Sequence, residues 1–521
     1  MKINKQLIRL SLACLLMIIV VGFHSCMDNN LNDPMGKVTE EELARDGFAA
    51  NAFFLTLCDC AYPVGTENLY NTHESVIGDC YGRYQVLGTD KFKGANFITY
   101  NAPVDWLNQP YSDGGVMVRV YGAWNKIKNI TGGTGVNFAW AQILRIAAMQ
   151  RLVDMYGALP YTKITSEQLS APYDTLEEMY QAMFKDLTLA INDMTRYVNS
   201  NPNARTMAKY DKVYDGDFEK WVKFANSLKL RMAIRIRFAN RKLAQDMAEE
   251  AVNHSIGTIV KNEDNATSLT TKNQLYTVLR EWPDHCVAAD ITTYMNGYKD
   301  PRRSKYFTKQ TTERGGDEYV GMRAGLSYNN DSYGTTFSRI NIEANDRTLW
   351  MAATETAFNR AEGAMLRWNM GGTAQYFYEE GVKLSFEQWK VEGADSYLSD
   401  NIKTQAGYND PYTSGSTAAL SRITILWNDD SPEEVKLERL ITQKWIALWP
   451  LGQEAWSEYR RTGYPKLFPV LGGASLSIPV ANRIPFPPTE YTRNKDNVNA
   501  AVSKLGADDY QTKIWWQRKD R

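Results

Sequence analysis

The chain has 521 residues, and 59 Lys and Arg nearly balance 60 Asp and Glu, for a formal net charge of −1. This length fits one large domain or two to three ordinary ones, and 44% hydrophobic with 23% charged residues is a globular composition, so a disulfide-stapled mini-protein and wholesale disorder are both excluded. The charge balance argues against a nucleic-acid partner, because phosphate binding requires a clustered cationic excess.

The N-terminal segment has the pattern of an export signal. Basic residues precede an apolar run, Leu10–Phe23, that is shorter than the ~20 residues a helix needs to cross a bilayer. Cys26 lies where a signal peptidase would cut, which predicts a lipoprotein signal peptide over residues 1–25 and lipidation of Cys26. His24 occupies a position usually held by a small residue, so ordinary secretion with cleavage nearby stays open as the alternative.

The polar residues 26–37 predict a flexible tether, and residues 38–521 are expected to form a single domain. Four cysteines then remain in the domain: Cys58, Cys60, Cys80 and Cys286. In an oxidising compartment Cys80 could form a disulfide with Cys58 or Cys60, an assignment that sequence cannot make. Zinc binding by Cys58, Cys60, His73 and Cys80 matches no closed structural site, so we expect buried thiols and no metal.

Apolar residues recurring every three or four positions predict a mainly α-helical fold. Gly157 and Pro160 end the first of these helices, and Asp174 with Glu177 forms the expected capping pair at the start of the second. In the third, Lys223, Lys229 and Arg237 are expected on the faces away from the core. The predicted helices are 140–155, 176–194, 221–236, 354–368, 374–389 and 433–448.

Tyrosine and tryptophan are concentrated in two stretches, 62–115 and 276–337, that are rich in turn-forming residues. Tyr and Trp combine an apolar ring with a hydrogen-bonding group, so they suit partly wet binding surfaces. Long loop-rich segments inside a helical protein are usually functional when they are ordered. We therefore expect the ligand-binding face to lie in these two stretches.

Signatures of catalysis are scarce. Beyond the signal segment the only histidines are His73, His254 and His285, and metalloprotease, nucleophile-elbow and phosphate-loop motifs are absent. A glycosidase acid pair is close in space and not in sequence, so a glycoside hydrolase stays as a lesser alternative. The expectation is a binding protein without enzyme activity and without a cofactor.

Several segments, in a fixed order, resemble the SusD/RagB family of outer-membrane lipoproteins. RLVDMYGALPY at 151–161 resembles the helix end of the family, and FEKWVKFANSLKLRMA at 218–233 resembles its W-x-K-x-A-N-S-L-K-L-R helix. Further blocks are DPR at 300–302, QKW at 443–445, EAW at 454–456, RRTGYP at 460–465 and RIPFP at 483–487. The resemblance extends from about residue 40 to about residue 505. Scaffold roles are expected for the Asn226 helix and the Arg460–Arg461 turn, where paired arginines could cap helix C-termini.

The resemblance implies tetratricopeptide-like helical hairpins in a superhelical scaffold, beside an irregular ligand-binding half. It also implies a surface-exposed lipoprotein, anchored to the outer membrane by its lipid, that captures oligosaccharides for a SusC-like TonB-dependent transporter. A peptide- or protein-binding component of a similar uptake complex is the alternative. Sugar rings stack their C–H faces on aromatic side chains, so the candidate ligand-binding residues are aromatic. They are Trp106, Tyr111, Trp282, Tyr319, Tyr328 and Tyr333.

Overall fold

The computed structural model describes residues 48–88, 95–112, 114–164, 170–282, 284–310, 319–326, 336–412, 415–471, 476 and 478–518. The chain divides into two compact units, Met1–Asn51 and Ala52–Arg521. The predicted signal peptide and tether, Cys26, Tyr328 and Tyr333 lie outside the described residues. The division of the chain into signal, tether and domain stays a prediction.

Helices dominate the described residues. The α-helices are α1 Phe48–Ala61, α2 Glu67–Tyr70, α3 Val104–Asn108, α4 Val116–Thr131, α5 Gly135–Tyr156, α6 Leu176–Ser200, α7 Phe218–Arg235, α8 Arg241–Val252, α9 Gln274–Tyr276, α10 Ala289–Gly297, α11 Arg303–Tyr306, α12 Ala353–Met365, α13 Ala374–Gln388, α14 Ala394–Leu398, α15 Glu433–Ala447, α16 Gly452–Thr462, α17 Glu490–Arg493 and α18 Lys495–Leu505. Two π-helices, Asn71–Asp79 and Thr277–Glu281, continue α2 and α9, and 3-10 turns lie at Gln109–Tyr111 and Asn262–Asp264. None of these helices combines the length and apolarity required to cross a bilayer.

The strands of the described chain are short and form two antiparallel pairs. They are β1 Gln85–Leu87, β2 Ala266–Ser268, β3 His285–Val287 and β4 Thr348–Met351. β1 pairs with β3, and β2 pairs with β4. Both pairs join segments that are far apart in sequence, so their role is to fasten loops to the helical body.

The helices pack in series. α5 contacts both α4 and α6, and α7 contacts α6, α8 and α12. α12 packs against α13 and α15, which completes a run of neighbouring helical hairpins. The predicted mainly α-helical, tetratricopeptide-like scaffold is confirmed.

The ends of two predicted helices show how local chemistry sets them. α5 ends at Gly157, whose φ of 88° is the left-handed conformation that glycine adopts at least cost. α6 has the predicted apolar stripe fully buried, but its capping box is formed by Thr175 and Glu178, one residue later than expected. Asp174 is instead engaged by the preceding loop, where its carboxylate accepts hydrogen bonds from the backbone of Tyr161 and Thr162.

The prediction that Lys223, Lys229 and Arg237, in α7 and just after it, lie away from the core is wrong for two of the three. Lys229 is 1% exposed, and its ammonium donates to Glu250 at 2.6 Å and to Thr188. Arg237 is 7% exposed and lies 2.5 Å from the Glu362 carboxylate. α7 is packed between α6, α8 and α12, so neighbouring helices cover faces that its own periodicity would leave in water.

A buried network of charges joins the helices at the centre of the scaffold. The Arg235 guanidinium of α7 pairs with Glu454 of α16, lies 3.2 Å from Asp154 of α5 and donates to Glu458 at 3.1 Å. Arg461 donates to Glu362 at 2.5 and 2.7 Å. Burial alone would raise the pKa of Glu458, but Arg461, Lys444 and Arg235 hold it well below its usual value. The pKa values of Glu362 and Glu454 are lowered by their arginine partners as well, so these three glutamates stay ionised and paired inside the protein.

The segments that resemble the family motifs have structural roles. Asn226 donates to the Gly257 carbonyl at 2.9 Å, which fastens α7 to the loop after α8. Arg460 donates to the carbonyl of Asp154 in the last turn of α5 at 2.6 Å, the predicted capping role. Arg461 does not cap a helix, because its guanidinium is engaged by buried carboxylates. The scaffold role expected for these two segments is confirmed.

Candidate functional site

The two aromatic stretches singled out from the sequence meet in space through the β1–β3 pair. Val86 lies opposite Cys286, and both strands are buried along their whole length. The pairing continues past the strands, since the amide of Gly88 donates to the Asp284 carbonyl and that of Ala288 to the Tyr84 carbonyl, each at 2.9 Å. Residues near 85 and near 285 therefore form one structural unit.

Two further segments are hydrogen-bonded to this unit. The amide of Met322 donates to Val287 at 2.8 Å, and the amide of Val287 donates to Ser338 at 2.9 Å. On the other side, the amide of Ala406 donates to the Thr293 carbonyl at 3.0 Å. We call the described residues of 62–112, 274–346 and 404–421 the loop assembly, because backbone hydrogen bonds connect them into one body.

Most aromatic residues of the two stretches belong to the core of this assembly. Their rings are buried, and their hydroxyl groups donate mainly to backbone carbonyls: Tyr81 to Phe97 at 2.6 Å, Tyr298 to Ile423 at 3.0 Å and Tyr306 to Ile446 at 3.1 Å. A buried tyrosine packs its ring against apolar neighbours while its hydroxyl donates a hydrogen bond to a backbone carbonyl. It therefore also provides a partner for carbonyl groups of buried loops that water does not reach. The tyrosine enrichment therefore builds much of the assembly itself.

Trp106 and Tyr111 are both partly buried and lie close in sequence, but their rings contact different neighbours. The Trp106 ring stacks on Phe97, with centroids 6.0 Å apart, and Phe97 in turn contacts buried Tyr81. The Tyr111 ring meets Tyr156, the last residue of α5, edge to face at 5.8 Å. Burial raises the pKa of Tyr111, whose hydroxyl lies inside the protein.

Trp282 and Tyr319 lie on connected segments of the loop assembly. Trp282 is partly buried, and its carbonyl accepts a hydrogen bond from Arg339. Tyr319 is only 6% exposed, since its ring lies 6.2 Å from Phe307 and 5.5 Å from the Arg303 guanidinium. Only a small part of the Tyr319 ring is therefore open to a ligand. Tyr328 and Tyr333 fall outside the described residues.

Tyr412 is a partly buried aromatic residue that the sequence interpretation did not single out. Its hydroxyl is 2.7 Å from the Thr336 hydroxyl, and its ring centroid is 5.9 Å from that of Phe337. Arg323 fastens the same part of the assembly by donating to the Gly415 carbonyl at 2.8 Å. The turn-forming run around Tyr412, NDPYTSG, was the available signal, but it lies outside both aromatic stretches.

The described cysteines, and the histidines of the loop assembly, are buried. Cys58, Cys60, Cys80 and Cys286 are free thiols, so neither of the disulfides considered for Cys80 is present. Burial raises the pKa of Cys60 and of Cys286 to about 12. Within the described ranges no group of three or more His, Cys, Asp or Glu side chains could hold a metal ion.

Two buried histidines make stability dependent on pH. His285 shares a 2.8 Å hydrogen bond with the Ser75 hydroxyl, and His73 bonds the Leu69 carbonyl at 2.9 Å. Burial lowers the pKa of His73 to about 4 and that of His285 to about 3. The unfolded chain, with a histidine pKa of about 6.5, therefore takes up these protons first as the pH falls.

We expect the stability contributed by neutral His285 to be fully present above about pH 6.5 and to be lost below it, by about 1.4 kcal/mol per pH unit. His285→Gln keeps a polar partner for Ser75 and removes the titration. Unfolding midpoints measured from pH 7.5 to pH 4 should fall less steeply in this variant than in the parent chain. Parallel curves would contradict the assignment.

Comparisons with known proteins agree with this architecture. A sequence model of the SusD-like family, described as Susd and RagB outer membrane lipoprotein, matches residues 30–517. A SusD homologue from Bacteroides uniformis is 42% identical with a TM-score of 0.84, and the match covers 91% of this chain and 100% of that one. A chitin-binding SusD homologue from Flavobacterium johnsoniae is 35% identical with a TM-score of 0.84, over 90% of this chain and 99% of that one. No curated protein sequence matches the chain.

Proposed function

The chain belongs to the SusD-like family of outer-membrane lipoproteins, and we propose that it captures oligosaccharides at the cell surface and delivers them to a SusC-like TonB-dependent transporter. The observation that carries this proposal is the likeness, over 90% of the chain, to a homologue that binds chitin. A helical scaffold with a rigid loop assembly is consistent with the binding of a ligand without its chemical conversion.

We propose that Trp106 and Trp282 supply the stacking surfaces, with Tyr412 as a third. These three side chains are partly buried, so each ring is held by packing and retains an accessible part. Tyr111 and Tyr319 stay candidates for edge contacts, because the Tyr111 hydroxyl is buried and Tyr319 is only 6% exposed. Sugar hydroxyls would find hydrogen-bonding partners in the polar residues that accompany these rings.

A glycan array followed by calorimetry tests this proposal, with chitohexaose as the first ligand because of the chitin-binding homologue. Trp106→Ala and Trp282→Ala should each raise the Kd roughly tenfold, since stacked tryptophans dominate small binding sites. Tyr376→Ala is the matched control, because Tyr376 is 56% exposed on α13 of the scaffold.

Unchanged affinity of both tryptophan variants for a confirmed glycan would remove these residues from the site. Absence of binding across the array, together with capture of members of a peptide library, would instead favour peptide uptake. Release of reducing ends from bound oligosaccharide would contradict a purely binding role.

We also propose that Cys26 carries the lipid anchor, in keeping with the description of the family as lipoproteins. Mass spectrometry of the mature N-terminus should find a diacylated cysteine, and Cys26→Ala should release the protein from the membrane fraction. An unmodified N-terminus at another residue would contradict this assignment.

A further inference from the structure

A groove of 470 Å³ lies at the end of α5, and its lining residue Tyr173 contacts the candidate Tyr111 of the loop assembly. Gly157, the N-terminus of α6, α18 and the C-terminal segment around Ile514 line it. The C-terminal segment is held close, because a Cβ added at Gly157 would come within 2.7 Å of the Ile514 side chain.

The floor of the groove is apolar and firmly held. Leu176, Ala501 and Ile514 are buried within it. Tyr173, also on the floor, donates its hydroxyl to Glu490 at 2.7 Å and meets Phe486 edge to face at 5.3 Å. Such a floor is formed before any ligand arrives, which lowers the conformational cost of binding.

The rim of the groove carries an excess of positive charge. Lys504 and Lys513 line it, and in the described structure neither ammonium has a carboxylate within 4.0 Å. Lys513 donates to the Arg518 carbonyl at 3.0 Å, which leaves further N–H groups for a ligand. Lys163 is already paired with Asp174 at 3.2 Å. Glu177 on the rim, and Glu178 beside it, whose charge interacts with that of Lys504, partly offset the other two lysines.

Trp515 provides an aromatic wall beside these lysines. It is partly buried, with its ring 6.2 Å from Tyr180, and it lines the groove together with Asn497. Gln517 also lines the groove, but it is buried and its amide is engaged by Ile514 and Asn482. A tryptophan, an amide and two ammonium groups without a carboxylate partner, around an apolar floor, suit a ring that has C–H faces, hydroxyls and a negative charge.

We propose that this groove, which neither Trp106 nor Trp282 lines, is a second saccharide-binding site that takes an acidic sugar bearing a uronate or a sulfate group. The open shape argues against a long acyl chain, which would need an enclosed channel to leave water. The groove therefore extends the ligand range of the protein to anionic glycans. This inference rests on the proposed glycan-capturing function, while using different residues.

The test is calorimetry with trigalacturonate, a hyaluronan tetrasaccharide and a sulfated carrageenan tetrasaccharide, which separate carboxylate from sulfate recognition. Lys504→Ala and Lys513→Ala should each weaken binding of the acidic ligand roughly tenfold, because each removes a charge-assisted hydrogen bond. Trp515→Ala should weaken it by a similar factor. Methyl-esterified trigalacturonate should bind poorly, and affinity for the acid should fall as salt is raised.

Lys185→Ala is the matched control, because Lys185 is an exposed lysine of α6 outside the groove. No binding of any of the three acidic ligands, or equal binding by the methyl ester, would overturn the proposal. Trp106→Ala and Trp282→Ala should leave acidic-ligand binding unchanged. If glycans bind at the loop assembly and no acidic ligand binds, the groove proposal alone fails. If only acidic ligands bind and only groove variants affect them, the loop-assembly site fails.

Discussion

Arg235→Met should lower the free energy of unfolding by ~3–5 kcal/mol, the cost of leaving buried charges without their partner. The Arg235 side chain is 1% exposed and faces three carboxylates on two other helices, from Asp154, Glu454 and Glu458. Methionine fills a similar volume and supplies no charge, so Asp154 loses its ion-pair partner, while Glu454 keeps only Arg231 and Glu458 keeps Lys444 and Arg461. The midpoint of urea unfolding, followed by circular dichroism and tryptophan fluorescence, measures the loss.

Arg235→Lys keeps the charge but loses the planar fork that contacts several acids together, so it should be destabilised less than the methionine variant. The surface control is Arg196→Met, since Arg196 is 78% exposed and pairs only with Asp193 one turn away. That change should stay within about 0.5 kcal/mol of the parent chain. Equal unfolding midpoints for Arg235→Met and Arg196→Met would contradict a structural role for the network.

Asp300→Ala should also lower the free energy of unfolding by ~3–5 kcal/mol, because here the acid is removed and the buried cation loses its partner. Asp300 and Arg302 are both 0% exposed, and the Arg302 guanidinium donates to the Asp300 carboxylate at 2.6 and 3.0 Å. Removing the acid leaves a buried cation whose charge has no counterion, with Ser385 as a neutral partner at 2.8 Å.

The double variant Asp300→Leu with Arg302→Met should recover a large part of the lost unfolding free energy, because it removes both charges and fills the same space with apolar side chains. Comparison of both single variants with the double variant gives the coupling between the two side chains. The exposed pair Lys242 and Asp246 is the control, with a coupling of about 0.5 kcal/mol. A double variant as unstable as Asp300→Ala would contradict the explanation by an unpaired buried charge.

The segments that resemble the family motifs supply several of the residues in these buried ion pairs. Arg302 lies in the DPR block, Arg235 is the last residue of α7, which carries the Asn-Ser-Leu-Lys-Leu-Arg motif, and Glu454 lies in the EAW block. All three side chains are buried in ion pairs. The resemblance therefore identifies the family through its scaffold, whereas the residues proposed for ligand binding lie in segments that carry no such motif.

Helix positions were predictable because they depend on local chemistry. The buried stripe of α6 follows from apolar residues at three- and four-residue spacing, and α5 ends at a glycine because only glycine adopts that conformation without strain. The capping box was misplaced by one residue, because Asp174 has a stronger set of partners in the loop at Thr162. Competition of this kind involves residues that are distant in sequence.

The amino-acid sequence by itself determined the helical class, the family and the concentration of aromatic residues in two loop regions, since periodicity, motif order and composition are local properties. Only the tertiary structure decided that Lys229 is buried and that Tyr319 is enclosed while Trp106 and Trp282 keep an accessible part. It also placed Lys504 and Lys513 around one groove. Burial and proximity depend on which distant segments pack together, and no local pattern records that packing.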